Sequence, residues 1–110
     1  MRYVPERGDA VWLSFDATSG REQAGRRPAL VLSSRAYNRS AGLAVVCPMT
    51  TKIKGYPFEV LSLVAGTAGA VLADHVRSVD WVAKKAQRIG SVDDAVIRRV
   101  AAIVAKLGGA

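Results

Sequence analysis

Three polar residues stand at the ends of strongly apolar segments. Glu22 and Arg27 lie in "SGREQAGRRPALVLS" (19–33), and Thr50, followed by Thr51, comes just after "LAVVCP" (43–48). Proline holds the residue before it in extended geometry, so Pro28 aims Arg27 at the entrance of the segment 28–33. If 28–33 and 43–48 are neighbouring strands, their ends bring Arg27 and Thr50 together. An Arg, a carboxylate and a hydroxyl suit one reaction well, the cleavage of RNA by attack of its own 2′-OH. That reaction needs a base for the 2′-OH proton, donors on the developing phosphorane charge, and a proton for the leaving 5′-oxygen. Arg supplies a permanent charge and a planar fork of donors. The plainer alternative is an exposed Glu22–Arg27 ion pair worth ~0–1 kcal/mol.

Other chemistries find little support. His75 is the single histidine and Cys47 the single cysteine, and no spaced Cys/His/carboxylate set is present, so no metal is expected. There is no GxSxG elbow for a serine nucleophile. Neither GxGxxG nor GxxxxGK[ST] occurs, so no nucleotide cofactor is expected. With one cysteine there is no intrachain disulfide, which fits a reducing cytoplasm.

The partner class follows from charge. Sixteen Lys and Arg face nine Asp and Glu, a net charge of +7 in 110 residues, which favours an anionic partner such as nucleic acid or an acidic protein segment. A surface charged for solubility alone is the bland reading. The length points to one domain over 1–110 with an adequate core. The N-terminus "MRYVPERGD" has no apolar stretch, and nothing approaches a membrane span, so a soluble intracellular protein is expected.

The elements that must carry these residues read mostly as strands. "GDAVWLSFD" (8–16) alternates, with Val11, Leu13 and Phe15 on one face, as a half-buried strand does. A loop at 17–27 follows. "PALVLS" (28–33) is continuously apolar, as in a strand buried on both faces. "SRAYNRSAG" (34–42) is polar and short, a helical turn at most. "LAVVCP" is a second buried strand, with Pro48 expected to end its ladder. "MTTKIKGYP" (49–57) is a polar loop, and "FEVLS" (58–62) alternates again. In "GAVLADHVRSVDW" (69–81), a long bending strand sets Leu72, Asp74, Val76 and Ser78 on one face. Val71, Ala73, His75, Arg77 and Val79 take the other. "WVAKKAQRIG" reads as a short helix running into a strand near Arg88–Ile89. At the C-terminus, Ser91 is the expected cap, with Asp93 and Asp94 in the first turn. Val96, Ile97, Val100, Ile103, Val104 and Leu107 then form a core-packing stripe, and Gly108 supplies the stop. Trp12 and Trp81 read as structural or interfacial. The pattern argues for a mainly β (β+α) fold: a small, bent antiparallel barrel with a C-terminal helix.

"RYVPERGDAVWLSFDATSGREQAGRRPALVLS", "YN" at 37–38, "TTKIKGYPFEV" and "AGAVLADHVRSVDW" together resemble the MazF/PemK (Kid) family of type II toxin–antitoxin ribonucleases. The combination of "EQAGRRP" with "TTKIKGYPFEV" is the specific part. The resemblance implies an SH3-like/CcdB-like barrel working as a homodimer. It also implies a metal-independent, sequence-selective endoribonuclease toxin that cuts single-stranded RNA, chiefly mRNA. The products would carry 2′,3′-cyclic phosphate and 5′-hydroxyl ends. An acidic, MazE-like antitoxin would neutralise it. Carried over by position, Arg27, Thr50 and Glu22 match the catalytic Arg, the catalytic Thr and the loop Glu. Gln23 shapes the loop, and Arg21, Arg26, Lys52, Lys54 and Arg77 supply backbone-contacting charge. Tyr56 and Phe58 stack on bases, with a core role open for Phe58. Asp74 either positions a base or closes a structural hydrogen bond; His75 either stacks on a base or is a satisfied histidine near a strand end. Two departures set the chain apart from the Kid branch: Leu72 stands where that branch has an Arg, and Arg21 where it has a His. Two other classes compete with the ribonuclease. One is a CcdB-like binder of a topoisomerase, and the other a non-catalytic RNA- or antitoxin-binding barrel. Neither needs Glu22, Arg27 and Thr50 together.

Overall fold

The alternating segment near the N-terminus becomes β1 (Asp9–Phe15), with Val11 and Leu13 buried. It lies between β2 (Gly25–Val31) and β7 (Gln87–Ser91), antiparallel to both. These strands belong to a computed structural model that describes residues 2–15 and 25–109. Among the described residues, β3 (Ala44–Thr50), β4 (Glu59–Val64), β5 (Thr67–Leu72) and β6 (Arg77–Val79) complete a seven-stranded sheet. Its order is β4-β5-β3-β2-β1-β7, with β6 on β3. Every pairing is antiparallel, and the sheet curls into a half-barrel.

The two faces of the sheet bury different clusters. Val11, Leu13, Ala29, Val31, Val46 and Trp81 close one face. Leu30, Cys47, Met49, Val71 and Val100 belong to the other, which α2 (Asp94–Leu107) covers. In α2, Ile97 and Val100 are buried while Val96, Ile103 and Val104 pack beside them, as the helical stripe predicts. Leu107 falls outside it, half exposed at the helix end.

Several local expectations need correction. Pro48 does not end β3, which runs on to Thr50. Residues 44–46 pair with β6, and 49–50 pair with β5. Pro48 lies between those two ladders, so its missing N–H interrupts neither. The segment 69–81 is not one bent strand. A 3-10 turn over Ala73–His75 divides it into β5 and β6. The register on β3 records the insertion: paired numbers sum to 120 for Met49↔Val71 and to 123 for Val46↔Arg77, three residues apart. Leu72, Asp74, Val76 and Ser78 therefore do not share one strand face. The segment 34–42 is more than a turn. It holds α1 (Arg35–Ala41), with the Ser34 hydroxyl accepting from Tyr37 N and Gly42 closing the helix in the left-handed region. The cap of α2 is Asp93, because Ser91 still pairs with Asp9 as the last residue of β7. Residues 81–85 form turns rather than a helix before β7. No helix among the described residues is long and apolar enough to cross a membrane.

Candidate RNA-cleaving site

The β2–β3 register places the first two candidates. Ala29↔Pro48, Leu30↔Cys47 and Val31↔Val46 all sum to 77, and continuing two residues sets Arg27 level with Thr50. Side chains alternate faces along a strand. Arg27 thus shares a face with Ala29 and Val31, and Thr50 with Pro48 and Val46. That is one and the same face, since Ala29, Val31 and Val46 pack in one cluster. The apolar cluster gives out toward this end, where Gly25, Arg26 and Arg27 are all exposed. Arg27 and Thr50 thus continue the buried face of the sheet into solvent.

Thr50 is anchored from two sides. Its Oγ1 accepts a hydrogen bond from Lys52 N at 3.0 Å, which leaves the hydroxyl proton available to donate outward. Its backbone is pressed by β5, where Gly69 lies against the Thr50 carbonyl beside the paired Ala70. A Cβ on Gly69 would sit 2.3 Å from the Thr50 carbonyl oxygen, so only glycine lets the strands approach this closely.

The loop beyond Thr50 carries Lys52, Lys54, Tyr56 and Phe58. Both lysines are exposed. Phe58 is 39% exposed, which removes it from the core. Tyr56 is half-buried, and its phenol is shifted upward by burial, then by the Asp74 and Glu59 carboxylates, so it stays a hydrogen-bond donor at neutral pH. The 3-10 turn lies beside this loop, where Ala73 N donates to Phe58 O at 3.1 Å. There Asp74 lies 3.8 Å from the Nε2 atom of its neighbour His75, and both are exposed. Asp74 also reinforces burial in pushing the Cys47 thiol up to about 12, so Cys47 is an inert core residue.

The remaining candidates scatter. Arg26 is stacked 5.7 Å from the Trp12 ring centroid on the face opposite Arg27. Arg77 is exposed on β6 opposite Val46, four residues along β3 from Thr50. Arg21, Glu22 and Gln23 lie outside the described residues. No three His, Cys, Asp or Glu side chains gather into a metal-binding group among the described residues.

Two features escaped sequence reasoning. One is the Gly69 approach; a glycine inside an otherwise apolar strand is its available signal. The other is Glu59, whose carboxylate accepts from the backbone N–H groups of Lys54 (3.0 and 3.2 Å) and Gly55 (2.7 Å).

Comparison with known proteins adds independent findings. The family model described as PemK-like, MazF-like toxin of type II toxin–antitoxin system matches residues 6–107. The Endoribonuclease toxin MazF of Escherichia coli K12 is 50% identical over 91 residues, covering 83% of this chain and 82% of that protein. Endoribonuclease toxin ChpB of the same strain is 40% identical over 98 residues, or 84% of each chain. Among solved structures, a MazE–MazF crystal structure from Deinococcus radiodurans superposes with a TM-score of 0.91 at 47% identity. It covers 98% of both chains.

Proposed function

This chain belongs to the PemK-like, MazF-like toxins of type II toxin–antitoxin systems, and from that premise we propose that it is a sequence-specific endoribonuclease acting on single-stranded RNA. The observation that carries the reading is the β2–β3 register, which, continued two residues beyond Ala29↔Pro48, brings Arg27 level with Thr50 at the exposed strand end. A pure binding module, whether a topoisomerase partner or an RNA-binding barrel, has no need for Glu22, Arg27 and Thr50 together.

The chemistry follows from the groups. The substrate's 2′-oxygen forms a bond to the adjacent phosphorus, and the bond from phosphorus to the 5′-oxygen breaks. The products carry a 2′,3′-cyclic phosphate and a 5′-hydroxyl. Arg27 places its fork of donors on the non-bridging oxygens as charge builds there, and delivers a proton toward the leaving 5′-oxygen. Thr50 donates its hydroxyl proton to the same phosphate. Glu22 accepts the 2′-OH proton or orients the ribose. With Glu22 taking the 2′-OH proton, Arg27 and Thr50 supply the remaining donors, and the route needs no metal. Lys52, Lys54, Arg21, Arg26 and Arg77 hold the RNA backbone, and Gln23, Tyr56, Phe58, Asp74 and His75 contact bases.

Residues 1–110 act as one unit, an SH3-like or CcdB-like barrel in finer description. The net charge of +7 suits an acidic antitoxin as well as RNA. The relatives solved as MazE–MazF assemblies support such a partner, and we extend the reading to a homodimer in the cytoplasm.

The test is digestion of a long mixed-sequence RNA by the purified protein in excess EDTA, followed by end mapping. Discrete cuts with 5′-hydroxyl ends are expected. Intact RNA overturns the reading in favour of the binding alternatives.

A further inference from the structure

The loop from Thr50 to Glu59 is clamped at both ends, and the two clamps are independent. At the first, Thr50 Oγ1 accepts from Lys52 N. At the second, the Glu59 carboxylate accepts from Lys54 N and Gly55 N, with Oε1 alone reaching both, at 3.2 and 2.7 Å. Gly55 has a φ of +83°, the left-handed geometry that brings successive N–H groups to one side as an anion-binding nest. That nest is filled from within the chain. The Glu59 backbone N–H also donates to Tyr56 O at 3.1 Å, so Glu59 grips its loop by main chain and side chain at once.

The position of Glu59 gives the grip its reach. It is the first residue of β4 and pairs with Leu72 of β5, directly before the turn that carries Asp74 and His75. The clamp thus fixes Lys54 and Tyr56 relative to the rigid sheet and to Asp74. Thr50 does not depend on it, because Lys52 N and the close approach of Gly69 hold Thr50 separately.

Resting on the ribonuclease reading above, we propose that Glu59 is a substrate-positioning residue: its carboxylate spans to the Lys54 and Gly55 amides and holds the limb that meets the nucleotides flanking the scissile phosphate. It touches no reacting atom. Its loss loosens binding and base selection and leaves the chemical step intact. Reach, and not charge, is what the role requires.

That distinction makes the test. Glu59→Asp keeps the charge and shortens the arm by one methylene. Glu59→Gln keeps the arm and one oxygen within reach of both amides (3.2 and 2.7 Å), removes the charge, and exchanges the Oε2 acceptor of the 3.0 Å Lys54 bond for an NH2 group. Steady-state cleavage is measured on a fluorophore-labelled single-stranded RNA carrying the mapped cut site, with end mapping on a mixed-sequence RNA and a melting curve for each variant. For Glu59→Asp, KM is expected to rise about tenfold with kcat within about twofold, and new secondary cut sites to emerge. For Glu59→Gln, KM is expected within about threefold of wild type, with the cut pattern retained. Three results overturn the inference while leaving the ribonuclease reading standing. They are wild-type KM and pattern in Glu59→Asp, a defect in Glu59→Gln but not Glu59→Asp, and a kcat loss that follows a lowered melting temperature. A wild type that cuts no RNA takes down both.

Discussion

Polar groups at the two ends of the sheet are used in opposite ways. Where β2 runs out toward α1, they are buried and consumed. Asn38 is fully buried, and its Nδ2 donates to Pro5 O and Ser33 O at 2.9 and 3.1 Å. Its Oδ1 accepts from Ser33 Oγ, and its backbone oxygen accepts from Trp81 Nε1 at 2.9 Å. Nearby, Asp9 accepts from Tyr3 OH, Glu6 N and Arg88 Nε, which leaves the Tyr3 phenol shifted upward by burial and by that carboxylate. No buried side-chain nitrogen or oxygen among the described residues is left without a partner. At the opposite end, Arg27, Lys52 and Lys54 stand exposed, and Thr50 has a hydroxyl proton to give. The hydrogen bonds on Thr50 Oγ1 and on the Glu59 carboxylate come from backbone N–H groups of the loop itself. The contrast separates polar groups that stabilise the fold from those that can meet a substrate.

The separation can be attacked from either end. Asn38→Ala should have the largest effect on stability, roughly 3 kcal/mol, because it leaves several buried partners unsatisfied. Urea unfolding measures it, and cleavage per folded molecule should stay near wild type. Gly69→Ala probes the one place where the scaffold presses on the site. The added methyl must displace the Thr50 backbone or β5, so a stability loss of about 1–3 kcal/mol is expected. Cleavage should fall beyond what the unfolded fraction explains, as single-turnover assays below the melting range would reveal. Replacing both Lys52 and Lys54 by Ala should spare the melting temperature. It should reduce the slope of log affinity against log salt by about 1.4 for single-stranded RNA, evenly across sequences. The smallest effect belongs to Glu6, half-exposed at the structural end. The backbone N–H groups of Arg35 and Arg7, less the cost of burial, hold its carboxyl below the ordinary glutamate range. A lowered value contributes stability above the unfolded-state pKa, lost as pH falls through the folded value. The gap in melting temperature between wild type and Glu6→Gln should therefore close in acid.

Local patterning carried the expectations that the structure bears out. The period-2 alternation of β1 and the helical stripe of α2 are periodic signals, each set by one face of one element. Neighbouring strands at 28–33 and 43–48 are present as expected, paired from Ala29↔Pro48 to Val31↔Val46. What the sequence did not reveal depends on contacts between elements. The 73–75 turn lies in a stretch with no Gly or Pro between Val71 and Val79 to mark a break, and the offset pairing on β3 exposes it. The helix α1 has caps at Ser34 and Gly42, but its buried residue is the polar Asn38, so no apolar stripe announces it. Pro48 is a stop signal everywhere except in the gap between two ladders. The Glu59 clamp engages backbone amides, which carry no residue code at all.

The central claim is that the Arg27–Thr50 end serves chemistry and not stability. The most direct test measures unfolding and RNA cleavage on the same sample of Arg27→Ala. The prediction is an unfolding curve that overlays wild type within about 0.5 kcal/mol, with cleavage reduced by about a thousandfold. Cleavage retained in a folded variant, or lost only in step with unfolding, would contradict it.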